Sequence, residues 1–199
     1  MKKLSSFTYA LACLLAGSLF LTACGGSDTS EVDGETEETG EVFYFAYKTA
    51  DFEIEVPDTW EIIDSFTSEY PDDLRVAFKN NVQDSIFTSN VTVIRENNTL
   101  SDTSYDFAQR KLADHEDTLV NYSLVSQEVL TLQVDGANSK TMLSTFEGKN
   151  DTSSPKLTFM QVTLTKGQQA WTATATYRSG EDAFTVEELD TMLRSFTLN

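Results

Sequence analysis

Basic side chains are scarce in this 199-residue chain: 14 Lys and Arg stand against 32 Asp and Glu, for a formal charge of −18. Nucleic-acid recognition needs clustered cations to neutralise phosphates, so that class of partner is excluded. Cysteine is nearly absent. Of the two, Cys13 and Cys24, the first lies inside an N-terminal apolar run, which excludes a disulfide-stapled scaffold. A single histidine leaves little room for an imidazole-based metal or catalytic site. The sequence also lacks a Gly-x-Ser-x-Gly elbow, a Ser-x-x-Lys pair, a phosphate-binding glycine loop and a His-Glu-x-x-His helix. No cofactor is indicated, and the chain reads as non-enzymatic.

What is present begins with an address. Met1-Lys2-Lys3 is a short positive segment, and the 17 residues from Phe7 to Ala23 carry no charge. The run closes on Leu21-Thr22-Ala23-Cys24, followed by Gly25-Gly26. This pattern is similar to a bacterial lipobox, with cleavage between Ala23 and Cys24 and a diacylglyceryl thioether on the Cys24 sulfur. The chemistry needs these types: only a thiol forms the thioether, and small flanking residues let an extended chain enter the peptidase. Residues 1–23 therefore read as a lipoprotein signal peptide. The mature chain is expected to sit at a cell membrane, lipid-anchored on the extracytoplasmic face, whether periplasmic or outer-surface.

Residues 24–41 read as the lipidated cysteine and an acidic, disordered tether. Seven acids fall between Gly25 and Glu41, with Val32 as the one large apolar residue. Such a stretch buries too little surface to offset the entropy of ordering. From Val42 onward the pattern changes, and the 158 residues 42–199, carrying a charge of −13, suit one domain.

That domain reads mostly as strands. Phe43–Tyr47 and Phe52–Val56 flank Thr49-Ala50-Asp51 as a hairpin, and Pro57 ends the second strand. Trp60, Ile62 and Ile63 read as a short segment covering an edge of the core. Further strands are expected at Leu74–Phe78, Val91–Arg95, Tyr122–Val134, Ser139–Phe146, Leu157–Thr165 and Ala170–Tyr177. In the last of these Trp171, Ala173, Ala175 and Tyr177 alternate with threonines, and the small face predicts close packing of a helix. One helix is expected from a Ser101 cap to about Glu116. A second is expected from a Thr185 cap, with Phe184 and Leu189 as its hydrophobic staple and Leu189, Met192, Leu193 and Phe196 as its stripe. The class is α+β: a largely antiparallel sheet flanked by helices, as a two-layer fold or an α/β/α sandwich.

The order of elements, with Phe52-x-Ile54-x-Val56-Pro57-x-x-Trp60 near the start and a capped helix closing on Leu193-Arg194-Ser195-Phe196, resembles the PsbP-like superfamily, which includes DcrB-type lipoproteins. The resemblance spans about Phe43 to Leu198. It implies an antiparallel sheet with helices on both faces and a non-catalytic role in binding and stabilising larger assemblies. No partner-contacting residue of that superfamily can be matched to a position here.

His115, in Asp114-His115-Glu116, reads as a solvated helix residue whose imidazolium suits a helix C-terminus. The adjacent acids Asp72-Asp73, Glu116-Asp117, Glu181-Asp182 and Glu187-Glu188 read as solubility and dipole complementation. Tyr44, Phe45 and Tyr47 put rings on both faces of one strand, so one set is core and the other is a candidate binding patch for a protein partner. The leading reading is a lipid-anchored binding or assembly protein whose partners are the membrane, through Cys24, and an unidentified protein. Two others stay open: an envelope-polymer hydrolase using a carboxylate pair, and a low-affinity divalent-cation binder.

Overall fold

Strands dominate because apolar residues recur at every second position, a spacing that places them on one face of a pleated ribbon. The computed structural model describes residues 42–81 and 87–199; the signal segment, Ala23, Cys24 and the acidic tether lie outside the described residues. Ten strands and two helices follow in the order β1 (Tyr44–Lys48), β2 (Phe52–Pro57), β3 (Glu61–Ile63), β4 (Leu74–Lys79), β5 (Asn90–Asn97), α1 (Ser104–Thr118), β6 (Val120–Val134), β7 (Ala137–Lys149), β8 (Leu157–Lys166), β9 (Gln169–Arg178), α2 (Ala183–Ser195) and β10 (Thr197–Leu198). One sheet holds all ten, ordered β1-β2-β10-β6-β7-β8-β9-β5-β4-β3. Every pairing is antiparallel except β10 with β6.

The sheet curls. Tyr47 near one end meets Phe78 near the other edge-on, with ring centroids 5.3 Å apart, and Phe52 of β2 reaches Trp171 of β9 at 5.6 Å. The main core fills the curl, and α2 adds Leu189, Met192 and Leu193 to it against Ala173 and Ala175. These alanines leave room for the helix, as the small face of β9 predicts. Along β8, Met160, Val162 and Leu164 join this core, while the alternate Leu157 and Phe159 join a second one under Ala108 and Leu112 of α1. The two helices therefore pack on opposite faces of β8.

The flanked sheet is only partly realised. Most of β6 is exposed, on both faces. The threonine face of β9 departs from expectation the other way: Thr172, Thr174 and Thr176 are buried, so that strand has no wet side. Glu61–Ile63 is a true edge strand paired with β4 rather than a loose cover, while Trp60 beside it enters the core.

Turn chemistry sets the hairpins. Asp135 and Gly136 have φ of 51° and 73°, the two positive values a tight β6–β7 connection requires, and glycine meets that demand without strain. The helix caps fall elsewhere than expected. Thr103, not Ser101, caps α1 through a bond from the Asp106 amide, and Ser101 itself has φ of 55°. Asp182, not Thr185, caps α2, accepting from the amides of Phe184 and Thr185. Thr185 is inside the helix and buried, and Phe184 is half exposed, so no staple forms. Asp182→Ala should then cost about 1 kcal/mol. Thr185→Ala should not act through capping. Paired urea titrations of the two variants would check the assignment; loss of the cap effect in Asp182→Ala would return it to Thr185.

Candidate functional site

The three aromatic residues of β1 are divided by the structure. Register pairs Tyr47 with Ile54 and Phe45 with Val56, so both point to the core face. Tyr47 packs on Phe78 and Phe52, whereas Phe45, nearer the strand's end, stays 39% exposed beside Phe43 at 63%. Tyr44 points the other way and hydrogen-bonds Thr191 of α2; burial pushes its phenol above the ordinary value, with Glu188 and Glu187 adding to the rise. Phe45 is thus the most exposed ring of the three, Tyr44 and Tyr47 are half-buried, and Phe43 beside them is more exposed still.

A concavity of about 520 Å³ runs along α1, between the helix and the end of β5. Its two cations, Arg110 and Lys111, are already engaged. Lys111 Nζ lies 2.9 Å from Glu96 Oε1, both largely buried, and Arg110 holds Asp102 through Nε at 3.0 Å. Arg110 also lies over the Phe107 ring at 4.5 Å. Glu96 Oε2 is buried and has no partner.

His115 lines this groove and is only partly exposed. Its ring stacks on Phe146 with centroids 4.8 Å apart and planes 25° off parallel. Nε2 is 3.3 Å from Gln161 Oε1, and the Gln161 amide nitrogen donates to Thr174 Oγ1 at 3.0 Å. With the amide in this orientation, Nε2 carries the hydrogen and donates to Gln161 Oε1. Burial first, then the Lys111 charge, push the imidazole down to about 4, against the opposing bond to Gln161. The ring is neutral at pH 7, which overturns the imidazolium reading. The reason is tertiary: Phe146, on a strand 31 positions away, covers a helical residue that looks exposed in the linear pattern.

Members of two of the acidic pairs have particular duties. Asp182 is a cap, and Glu181 accepts from Ser89 Oγ at 2.5 Å. Glu188 is buried and accepts the Trp60 indole N–H at 3.1 Å; burial pushes its carboxyl up, partly offset by that bond. Sequence reasoning missed this contact because the partners are 128 positions apart. The sequence held one clue: Glu188 precedes Leu189 and sits four residues before the stripe's Met192, on the inward side of the helix. Among the described residues no three His, Cys, Asp or Glu side chains are grouped to hold a metal, and no helix is long and apolar enough to cross a membrane.

No protein-family model and no curated protein matches the chain. Solved structures do. The cyanobacterial PsbP protein CyanoP of Synechocystis sp. PCC 6803 aligns at 16% identity over 83% of this chain and 98% of its own, with a TM-score of 0.51. LpqN, a protein involved in cell envelope biogenesis of Mycobacterium tuberculosis, aligns at 12% identity over 80% of this chain and 92% of its own, with a TM-score of 0.53. At such identities the likeness is one of fold, and the fold it resembles is PsbP-like.

Proposed function

We propose that this chain is a lipid-anchored, non-catalytic binding or assembly protein of a bacterial envelope, its PsbP-like α/β/α domain held off the membrane by an acidic tether. The observation that carries the reading is Leu21-Thr22-Ala23-Cys24 at the end of an uncharged run behind Lys2 and Lys3. Two or more acyl chains on the mature N-terminus give stable anchoring, since each buried methylene contributes about 0.8 kcal/mol. The fold shared with LpqN, an envelope-biogenesis protein, supports the location. The groove on α1 supports a non-catalytic role: its histidine is held between Phe146 and an amide, and its lysine is engaged by Glu96.

Labelled palmitate supplied to cells should enter the wild-type protein, and Cys24→Ala should lose essentially all label and leave the membrane fraction. Label retained by Cys24→Ala, or absent from the wild type, would overturn the anchor. Turnover of purified envelope polymer by the wild-type protein would overturn the non-catalytic assignment.

A further inference from the structure

Among the described residues, β6 is the sheet's most exposed long strand. It is 15 residues long, paired along one side by β7 and along the other only at Val134, where Leu198 of β10 meets it. The strands at the two ends of the sheet are short, five residues in β1 and three in β3, a common protection against edge pairing. β6 lacks that protection over its regular stretch. Its two bulges lie before Ser126, and from Ser126 to Val134 the register with β7 is unbroken.

The open strand is also unlike the rest of the surface. Glu128 is its only charged residue, in a protein whose residues are 23% charged, and Arg194 engages that carboxylate at 2.7 Å. Leu124, Val125 and Val129 are three of the seven exposed large hydrophobics among the described residues. Pairing of Gln127 with Ser144, and of Val129 with Met142, places Gln127, Val129 and Thr131 on the face that carries α1.

We propose that β6 is a self-association edge: two copies of this chain pair β6 with β6 antiparallel about a twofold axis near Val129, joining two curled sheets into one. Three features favour a second copy as the occupant. An open edge needs another open edge, and this chain supplies one of the right length. A twofold axis through an odd-numbered position sets Gln127, Val129 and Thr131 against the same three residues, uncharged against uncharged, with their faces matched. The single acid on the strand is already bridged, so little like charge meets across the seam. The charge of −13 on each domain lies elsewhere and repels at longer range. Salt should therefore tighten the pair rather than loosen it.

The test uses the full chain, in cells and in non-ionic detergent. Cysteine placed singly at Gln127, Val129 or Thr131 should give a disulfide-linked dimer under oxidation at one of the three positions, and Phe43→Cys should give none. Sedimentation of the wild type should show concentration-dependent doubling of protein mass, stronger at higher salt. Val129→Lys sets two ammonium groups together and should weaken the dimer by at least about tenfold, with the unfolding midpoint little changed because the site is exposed. Thr131→Lys, opposite Gln127 in such a pair, places a further cation in the seam at a second exposed position on that face. A monomeric wild type, or a dimer that forms no crosslink on β6 and ignores both lysines, overturns the proposal. Loss of lipidation in Cys24→Ala would refute the anchor without touching this result, so the two readings fail separately.

Discussion

Lowering the pH from 6.5 to about 4 should remove about 3 kcal/mol of stability through His115 alone. The sign follows from which state binds the proton first. In the unfolded chain the imidazole protonates near its ordinary 6.5. In the fold, burial against Phe146 and the charge of Lys111 hold it unprotonated until about 4. Between those values the unfolded state carries more protons, so acid favours unfolding. Above 6.5 both states are neutral and this group makes no pH dependence. Below about 4 both are charged and the loss is complete. The many carboxylates titrate in the lower part of the same window, so the reading must be a difference. His115→Gln keeps a donor toward Gln161 and removes the titration. Urea unfolding of wild type and variant across the window should give curves that diverge by about 3 kcal/mol as the pH falls. Curves that stay parallel would show the ring to be solvated after all.

The same residue shows where sequence reading stops. Alternation made the strands legible: Phe52, Ile54 and Val56 all fall in the core. The apolar stripe of α2, Leu189 to Phe196, is buried throughout. These signals are local, set by periods of two and 3.6 residues. Boundaries were less legible because Ser, Thr and Asp compete for cap positions over three or four residues. Ser101 lost to Thr103 and Thr185 to Asp182 according to which side chain meets a free amide. β10 left no signal, being two residues whose strand character comes from β2 and β6 on either side. The candidate site was least legible of all. His115 against Phe146, Lys111 against Glu96 and Trp60 against Glu188 are contacts between elements, and no pattern within one element encodes them. Exposure of β6 belongs to the same class: its sequence reads simply as a strand, and only the sheet order reveals that its edge is open.

Two phenylalanines seven positions apart should behave oppositely when cut to alanine. Phe52 is 2% exposed and lies among three rings, 6.1 Å from Tyr47, 5.6 Å from Trp171 and 5.7 Å from Phe196. Those partners come from β1, from β9 and from the residue closing α2, so this side chain ties the curl of the sheet to its helix. Phe52→Ala loses the transfer energy of the ring and leaves a cavity that three rigid neighbours cannot readily close, at about 3–5 kcal/mol. For a domain of this size that is a large share of the total and lowers the melting temperature by about 10 °C. Phe45 shares the same face of the hairpin but is 39% exposed, and Phe45→Ala should shift stability by less than about 1 kcal/mol. The contrast also separates structure from recognition, since a ring that contributes little to folding is free to serve a partner. Thermal and urea unfolding of both variants decides it. If Phe45→Ala proved as damaging as Phe52→Ala, the ring would belong to the core, and β1 would offer a partner little beyond Phe43.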